Sequence, residues 1–187
     1  MTGSSRVSPR SESTVLETPR LTLRWQEVSD AVVWRHLWTE RDPRVPPHRR
    51  IDTEGRPTVE DIAATIRDQR GQPGLGLLTV ERKDEGDVIG YCGLVFTGKG
   101  EGDEPELAFE LLRAVHNRGY ATEAGRAVID WAAEAGHSRL WATVWDWNAA
   151  SLRALEKLGF RDSGRSGPEG EHGRVIVTVR DSEKVGP

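Results

Sequence analysis

Residues 105–136, "PELAFELLRAVHNRGYATEAGRAVIDWAAEAG", set the tightest limit on how this chain folds. An apolar-rich run of strand length, 105–112, gives way to a short polar stretch with one glycine. A helical pattern then starts at once. Tyr120, Ala124, Ala127, Val128, Trp131 and Ala135 recur at the spacing of one helix face, and Gly136 supplies the stop. A strand, a glycine loop and an amphipathic helix in succession call for a helix laid across a sheet. The loop carries a second implication. Backbone N–H groups opening a helix make a site for an anion. Residues 116–121, "HNRGYA", suit a pyrophosphate: Gly119 lets backbone approach the ligand, Ala121 keeps the first turn small, and Arg118 adds positive charge.

The rest of the chain extends this pattern. Residues 1–13 are polar and rich in serine, glycine and proline, and read as a disordered tail. "RLTLRWQ" (20–26) alternates as a first strand. "SDAVVWRHLW" (29–38) offers Ser29 or Asp30 as N-cap, then Val33, Trp34, Leu37 and Trp38 at helical spacing. A proline-broken basic loop, 41–50, follows. A second helix opens on Thr58 and Asp61, a capping-box-like pair, and continues through Ile62, Thr65, Ile66 and Gln69. "GLLTVERK" and "DVIGYCGLVF" read as strands joined by an acidic turn. "RLWATVWDW" (139–147) is a fifth strand. In "NAASLRALEKLGF" (148–160), Asn148 caps a short helix with Leu152 and Leu155 inward, and Gly159 and Phe160 form its stop. "GRVIVTVRD" (173–181) is the last strand. Strand, two helices, three strands, helix, strand, helix, strand is a mixed α/β (α+β) order.

Composition excludes several classes. At 187 residues one domain, 14–187, is expected after the tail. Such a domain buries roughly 70% of its unfolded surface without staples. The net charge of −4 disfavours nucleic-acid binding, which needs a clustered positive field. The single cysteine, Cys92, sits in an apolar run and reads as a small buried hydrophobe. No apolar run of about 18 residues and no secretory leader pattern is present, so no membrane association and a cytoplasmic location are expected. His36, His48, His137 and His172 lack metal-ligand spacing, so no metal is expected. The Gly-x-Gly of "PGLGLLTV" (73–80) leads into a strand rather than a helix, and no Gly-Lys-Ser/Thr triplet exists.

Three stretches together resemble a known family. "ETPRLTLRWQEVSDA" (17–31), "PELAFELLRAVHNRGYATEA" (105–124) and "NAASLRALEKLGF" (148–160) are similar to the opening, the acyl-CoA loop and the following helix of the GNAT acyl-CoA N-acyltransferases, RimJ/RimL-type branch. The resemblance runs from about Glu17 to Asp181. His116 stands where the family loop carries Gln or Arg, and Asn117 tolerates a left-handed backbone. The resemblance implies a mostly antiparallel twisted sheet of about seven strands with about four helices. It places acyl-CoA in the splay between the fourth and fifth strands. It also implies acetyl-CoA as donor, a primary amine as acceptor and no metal. That amine is a protein N-terminus or a small molecule, the latter in a detoxifying role. Direct attack in a ternary complex is the implied route. Family members are often dimers, and a homodimer is the implied assembly. A non-catalytic acyl-CoA sensor with the same fold is the rival reading.

Residue roles follow from the same resemblance. The strand backbone near Glu110, Leu111 and Leu112 binds the pantetheine arm and polarises the carbonyl. His116, Asn117, Arg118, Gly119, Tyr120, Ala121 and Thr122 hold the pyrophosphate. Glu106 is the candidate general base; Glu110 lies on the same strand face and is the second catalytic candidate, either acting directly or through water. Ser151 is the candidate proton donor to the thiolate; a first-turn structural serine is the alternative. Asn148 contacts the cofactor arm and caps its helix. Seven tryptophans against three phenylalanines and two tyrosines suggest that Trp25, Trp34, Trp38 and Trp145 line an acceptor pocket. Segment 81–110 is acidic and 41–56 holds five arginines, so an acidic side is expected to attract a cationic amine.

Overall fold

Alternation in the second strand decides which way the sheet faces. Leu21 and Leu23 are fully buried, while Thr22 and Arg24 point to the other side. The computed structural model describes residues 14–69, 75–97 and 104–182. The expected tail at 1–13, the start of the Gly-x-Gly turn (Pro73, Gly74) and the charged residues Lys99, Glu101 and Asp103 lie outside them.

The strands are β1 (Thr14–Glu17), β2 (Leu21–Arg24), β3 (Leu77–Arg82), β4 (Val88–Val95), β5 (Glu106–Leu111), β6 (Arg139–Trp145), β7 (Arg161–Ser166) and β8 (Val175–Asp181). The helices are α1 (Ala31–Glu40), α2 (Val59–Gln69), α3 (Tyr120–Glu134) and α4 (Ala149–Lys157). They form one sheet in the order β1-β2-β3-β4-β5-β6-β8-β7. Every neighbouring pair is antiparallel except β5 and β6. The sheet therefore has eight strands, not the six that patterning finds nor the seven or so that the resemblance implies. The two extra strands, β1 and β7, are the sheet's edges. An edge strand pairs on one side only and buries little. β7 in particular, "RDSGRS", carries no apolar alternation and is mostly exposed.

The two faces of the sheet differ in kind. One packs against α3 and α4 in a continuous apolar core that takes in Leu21, Leu23, Leu78, Cys92, Leu94, Leu107, Val128 and Leu155. The face of α3 that packs here is Tyr120, Ala124, Gly125, Val128, Ile129 and Ala132. The expected stripe is rotated slightly from this, and Ala135 is exposed. Gly125 brings α3 close to the α4 stop: a Cβ there would come within 2.6 Å of the Leu158 side chain, which would have to shift. That stop is the expected one. Phe160 N–H donates to the Leu155 carbonyl at 3.0 Å and Gly159 N–H to Glu156 at 3.0 Å, with Gly159 at φ 83°.

The other face carries α1 and α2 over a small cluster of Ala31, Ile62, Ala63 and Ile66, with Trp34 and Trp38 against it. The Thr58–Asp61 capping box forms as expected: Asp61 N–H donates to Thr58 Oγ1 at 3.1 Å, and Thr58 N–H to Asp61 at 2.8 Å. Asp30 does not cap α1 with its side chain. It is buried at 2% exposure, takes a bidentate pair from Arg24 (2.9 and 2.8 Å), and accepts from Thr79 Oγ1 at 2.7 Å and from Glu27 N–H at 2.8 Å. Burial alone would raise its carboxyl pKa. The Arg24, Glu27 and Thr79 contacts outweigh burial and hold it below the usual carboxylate range.

Candidate active site

β5 and β6 run parallel and share a single registered pair, Glu106 with Trp141, reinforced by Trp141 N–H donating to the Pro105 carbonyl at 3.0 Å. Past that pair the ladder stops. From Leu107 to Leu111 the strand is paired through β4 on its other side, and no strand is registered with it on the β6 side. Such a splay leaves backbone donors and acceptors for a ligand. Both strands then lead into helices, β5 into α3 and β6 into α4, so both helix N-termini lie at the same end of the splay. Crevices at the carboxyl ends of parallel strands are the usual ligand sites of α/β sheets.

The β5–α3 junction is built to stay open. A 3-10 turn, Arg113–Val115, leads to His116, and the next residues are exposed. Asn117 sits at φ 59° and Gly119 at φ 82°, both left-handed. Gly119 stands at the N-cap with no side-chain cap, and the first turn of the helix closes from Glu123 N–H to the Gly119 carbonyl at 3.0 Å. The N–H groups of Tyr120, Ala121 and Thr122 have no acceptor among the described residues. His116 is tied back to the strand: its Nε2 lies 2.8 Å from the Leu111 carbonyl. A carbonyl only accepts, so this contact puts a proton on Nε2.

A second device holds the helix start from outside. Glu123 receives the Thr18 hydroxyl at 2.6 Å, Arg20 N–H at 3.0 Å and Arg20 Nε at 2.6 Å. Arg20 also donates to the Arg118 carbonyl at 3.0 Å and lies over the Tyr120 ring at 4.4 Å. Tyr120 thus gives its side chain to the core and only its backbone to the junction. Burial raises the Glu123 pKa, but these three donors more than offset it, and its carboxyl is held low. The Thr18-Pro19-Arg20 opening is a clamp on the loop, a link that spacing along the sequence does not show.

The β6–α4 junction is closed where the other is open. The Asn148 side chain accepts from Ser151 N–H at 3.2 Å, the expected cap. The Ser151 hydroxyl is half-buried and makes no hydrogen bond among the described residues.

Glu106, at the closed end of the splay, is 4% exposed. One carboxyl oxygen accepts from Thr143 Oγ1 at 3.0 Å; the other, Oε1, is buried with no donor among the described residues. Glu110 is four residues along the same face and is fully engaged. Arg41 meets it with two bonds (2.8 and 2.6 Å), and the Tyr91 hydroxyl donates to it at 2.9 Å. Burial pushes the Tyr91 pKa up, and the adjacent Glu110 adds to the shift, so Tyr91 stays a protonated donor. Cys92 lies on the opposite face at 0% exposure, its thiol pushed up to about 12 by burial.

The tryptophans divide. Trp34 stacks on Tyr91 (ring centroids 4.6 Å apart) and Trp38 carries Arg41 over its ring at 4.1 Å. Both line a cavity of about 640 Å³ between α1, α2 and the loop that joins them. Trp145 shares the Glu106 face of β6 and stacks on Trp147, with Arg44 of the same loop over Trp147 at 4.2 Å. Trp25 does not join them. It shares the parity of Leu21 and Leu23 and packs edge-on against Trp131 of α3, on the far face of the sheet. Within the described part of the acidic segment, Glu81 pairs with Arg24, Asp87 with Arg82 and Glu110 with Arg41. Among the described residues no group of three or more His, Cys, Asp or Glu is placed to hold a metal ion, and no helix is long and apolar enough to cross a membrane.

Comparison with known proteins agrees with this architecture. The family described as "Acetyltransferase (GNAT) domain" matches residues 20–161. An uncharacterized N-acetyltransferase p20 of Bacillus licheniformis is 29% identical over 151 residues, 80% of this chain and 83% of that one. A putative GNAT-family acetyltransferase from Bordetella pertussis superposes with a TM-score of 0.68 at 25% identity, covering 88% of this chain and 98% of the other. The structure of yncA from Salmonella typhimurium, a putative acetyltransferase solved with its cofactor acetyl-CoA, has the same fold at 18% identity, with a TM-score of 0.68 and coverage of 88% and 95%. The chain belongs to the GNAT acetyltransferase family.

Proposed function

We propose that the protein transfers an acetyl group from acetyl-CoA to a primary amine by direct attack within a ternary complex. The observation that carries this reading is the open β5–β6 splay ending at an uncapped helix start behind two left-handed residues. The residues fit the donor. The free N–H groups of Tyr120, Ala121 and Thr122, with Arg118 beside them, suit a pyrophosphate. The edge of β5 turned away from β4, at Leu111 between Glu110 and Leu112, suits a pantetheine arm and offers an N–H to the thioester carbonyl, while Leu112 N–H is already given to the Ile89 carbonyl. The Thr18–Arg20 clamp on Glu123 gives the RimJ/RimL-like opening a physical task, which supports that branch.

The chemistry then falls to three side chains. Glu106 holds one carboxylate oxygen without a donor, in a buried place, and takes the proton of the amine directly or through a water as the new N–C bond forms and the C–S bond breaks. Glu110 is neutralised by Arg41 and Tyr91, so it positions that wall rather than acting as the base. Ser151, with its hydroxyl free and Asn148 fixing its backbone, hydrogen-bonds the departing sulfur, which leaves as the thiol once a proton reaches it. A buried Cys92 with a raised pKa supports direct attack over a covalent acyl-enzyme.

The test is a calorimetric titration with acetyl-CoA followed by a thiol-release assay over a panel of amines. Micromolar binding and thiol release that depends on an amine are expected. No binding at millimolar acetyl-CoA would overturn the assignment. Binding without turnover on any amine would leave an acyl-CoA sensor in its place.

A further inference from the structure

The cavity between α1 and α2 is a site whose chemistry can be read further. It shares its inner wall with the splay, because Tyr91 and Arg41 line it and both bond to Glu110 on β5. An amine leaving it past those two side chains meets β5 where the thioester carbonyl is proposed to lie. The following inference rests on that proposed function.

The cavity wall has two parts. Ile62, Ile66 and the rings of Trp34 and Trp38 form an apolar surface large enough for an aromatic or branched aliphatic body. Of the polar groups, most are already satisfied. Gln26 donates to the Leu77 carbonyl at 3.1 Å, Arg41 is held by Glu110, and Thr65 donates to the Asp61 carbonyl at 3.0 Å. Asp52 turns one oxygen to the N–H groups of Glu54 and Arg56, and Asp61 receives Thr58 and Arg56. What remains is the second Asp52 oxygen, His48, and two donor groups. The Arg50 side chain makes no ion pair or hydrogen bond among the described residues, its backbone N–H going to the Pro47 carbonyl, and the indole N–H of Trp34 is buried without an acceptor. Three arginines line this cavity, and the face of Trp38 that would receive a cation is already covered by Arg41. Arg41 and Arg56 are paired with Glu110 and Asp61, so a carboxylate entering the cavity meets one unpaired guanidinium, that of Arg50.

We infer that the acceptor is a small primary amine that carries a carboxylate and an apolar side chain, with Arg50 binding the carboxylate and the α1–α2 wall holding the apolar body. This departs from the attraction for a cationic amine expected from the acidic segment, in which Glu81, Asp87 and Glu110 are paired with arginines.

The experiment uses three matched pairs, each an amine with and without its carboxylate: L-phenylalanine and phenethylamine, L-leucine and isoamylamine, L-tryptophan and tryptamine, with spermidine as the polycation. Thiol release should show a KM at least tenfold lower for the carboxylate-bearing members. Arg50→Ala should abolish that preference, and Arg50→Lys should restore part of it. Equal or better use of the plain amines, or spermidine as the best acceptor, would overturn the inference. Binding of N-acetyl-L-phenylalanine, followed by calorimetry, separates this site from the catalytic reading because it needs no turnover. Binding lost at least tenfold in Arg50→Ala supports the site even if no amine is acetylated. Absence of binding to the unsubstituted protein overturns it even if acetyl-CoA binds.

Discussion

The two faces of this sheet solve different problems. Toward α3 and α4 the surface is closed: leucine, valine, isoleucine and alanine interlock, and Cys92 lies in the middle with no chemistry to offer. Toward α1 and α2 the apolar cluster is small, and carboxylates take its place, Asp30 and Glu106 buried and Glu110 half-buried. Asp30 is paired with Arg24, Glu110 with Arg41, and Glu106 is satisfied at only one of its two oxygens. The contrast teaches where to look for function. Polar groups on the second face are costly to bury, so each one left incomplete marks a place where something else is expected to bind.

That contrast can be broken in order of size. Asp30→Asn removes the buried partner of Arg24 and leaves its guanidinium with only the half-buried Glu81, at Nε. It should cost about 3–5 kcal/mol in a denaturant melt. The pH dependence carries the same signature. The Asp30 carboxyl is held below its ordinary value when folded, so its contribution is complete above pH ~4 and lost as the pH falls through the lowered value. Stability of the unsubstituted protein should fall on acidification in that window, and Asp30→Asn should flatten the fall. Leu94→Ala, on the closed face, should cost about 2–5 kcal/mol while activity per folded molecule stays unchanged. If Leu94→Ala instead lowered kcat in a fully folded sample, the division of labour between the faces would fail. Gly119→Val forces a β-branched residue into a left-handed position, with its Cβ 3.4 Å from Arg20. It should weaken acetyl-CoA binding by about tenfold or more, roughly 1.4 kcal/mol or above, read by titration. His116→Ala loses only the tether to Leu111, so a loss of about threefold in the same titration is expected.

Local chemistry was legible along the sequence; long-range chemistry was not. The Thr58–Asp61 box, the Asn148 cap and the Gly159 stop each involve residues within six positions of one another, and all three form. The strands with alternating apolar residues were legible for the same reason. The edge strands β1 and β7 were not, because backbone pairing with a neighbour needs no apolar pattern. Asp30 looked like a cap because caps and buried anions use the same residue. Only its distance to Arg24 and Thr79 tells them apart. Trp25 was grouped with Trp34 and Trp38 as an aromatic set, yet its parity with Leu21 and Leu23 places it on the other face, a signal present in the sequence and outweighed by composition. The engagement of Glu110 joins segments 69 residues apart, and no spacing rule reaches that far.

The most direct test of the account is Glu106→Gln, assayed for both acetyl-CoA binding and turnover on a saturating amine. Glutamine keeps the shape and the bond from Thr143 but removes the base. The account predicts unchanged acetyl-CoA affinity and a fall in kcat of about a hundredfold, with the loss reduced at high pH as the amine sheds its own proton. An unchanged kcat at neutral pH would contradict it, and would assign the incomplete carboxylate of Glu106 to some task other than acyl transfer.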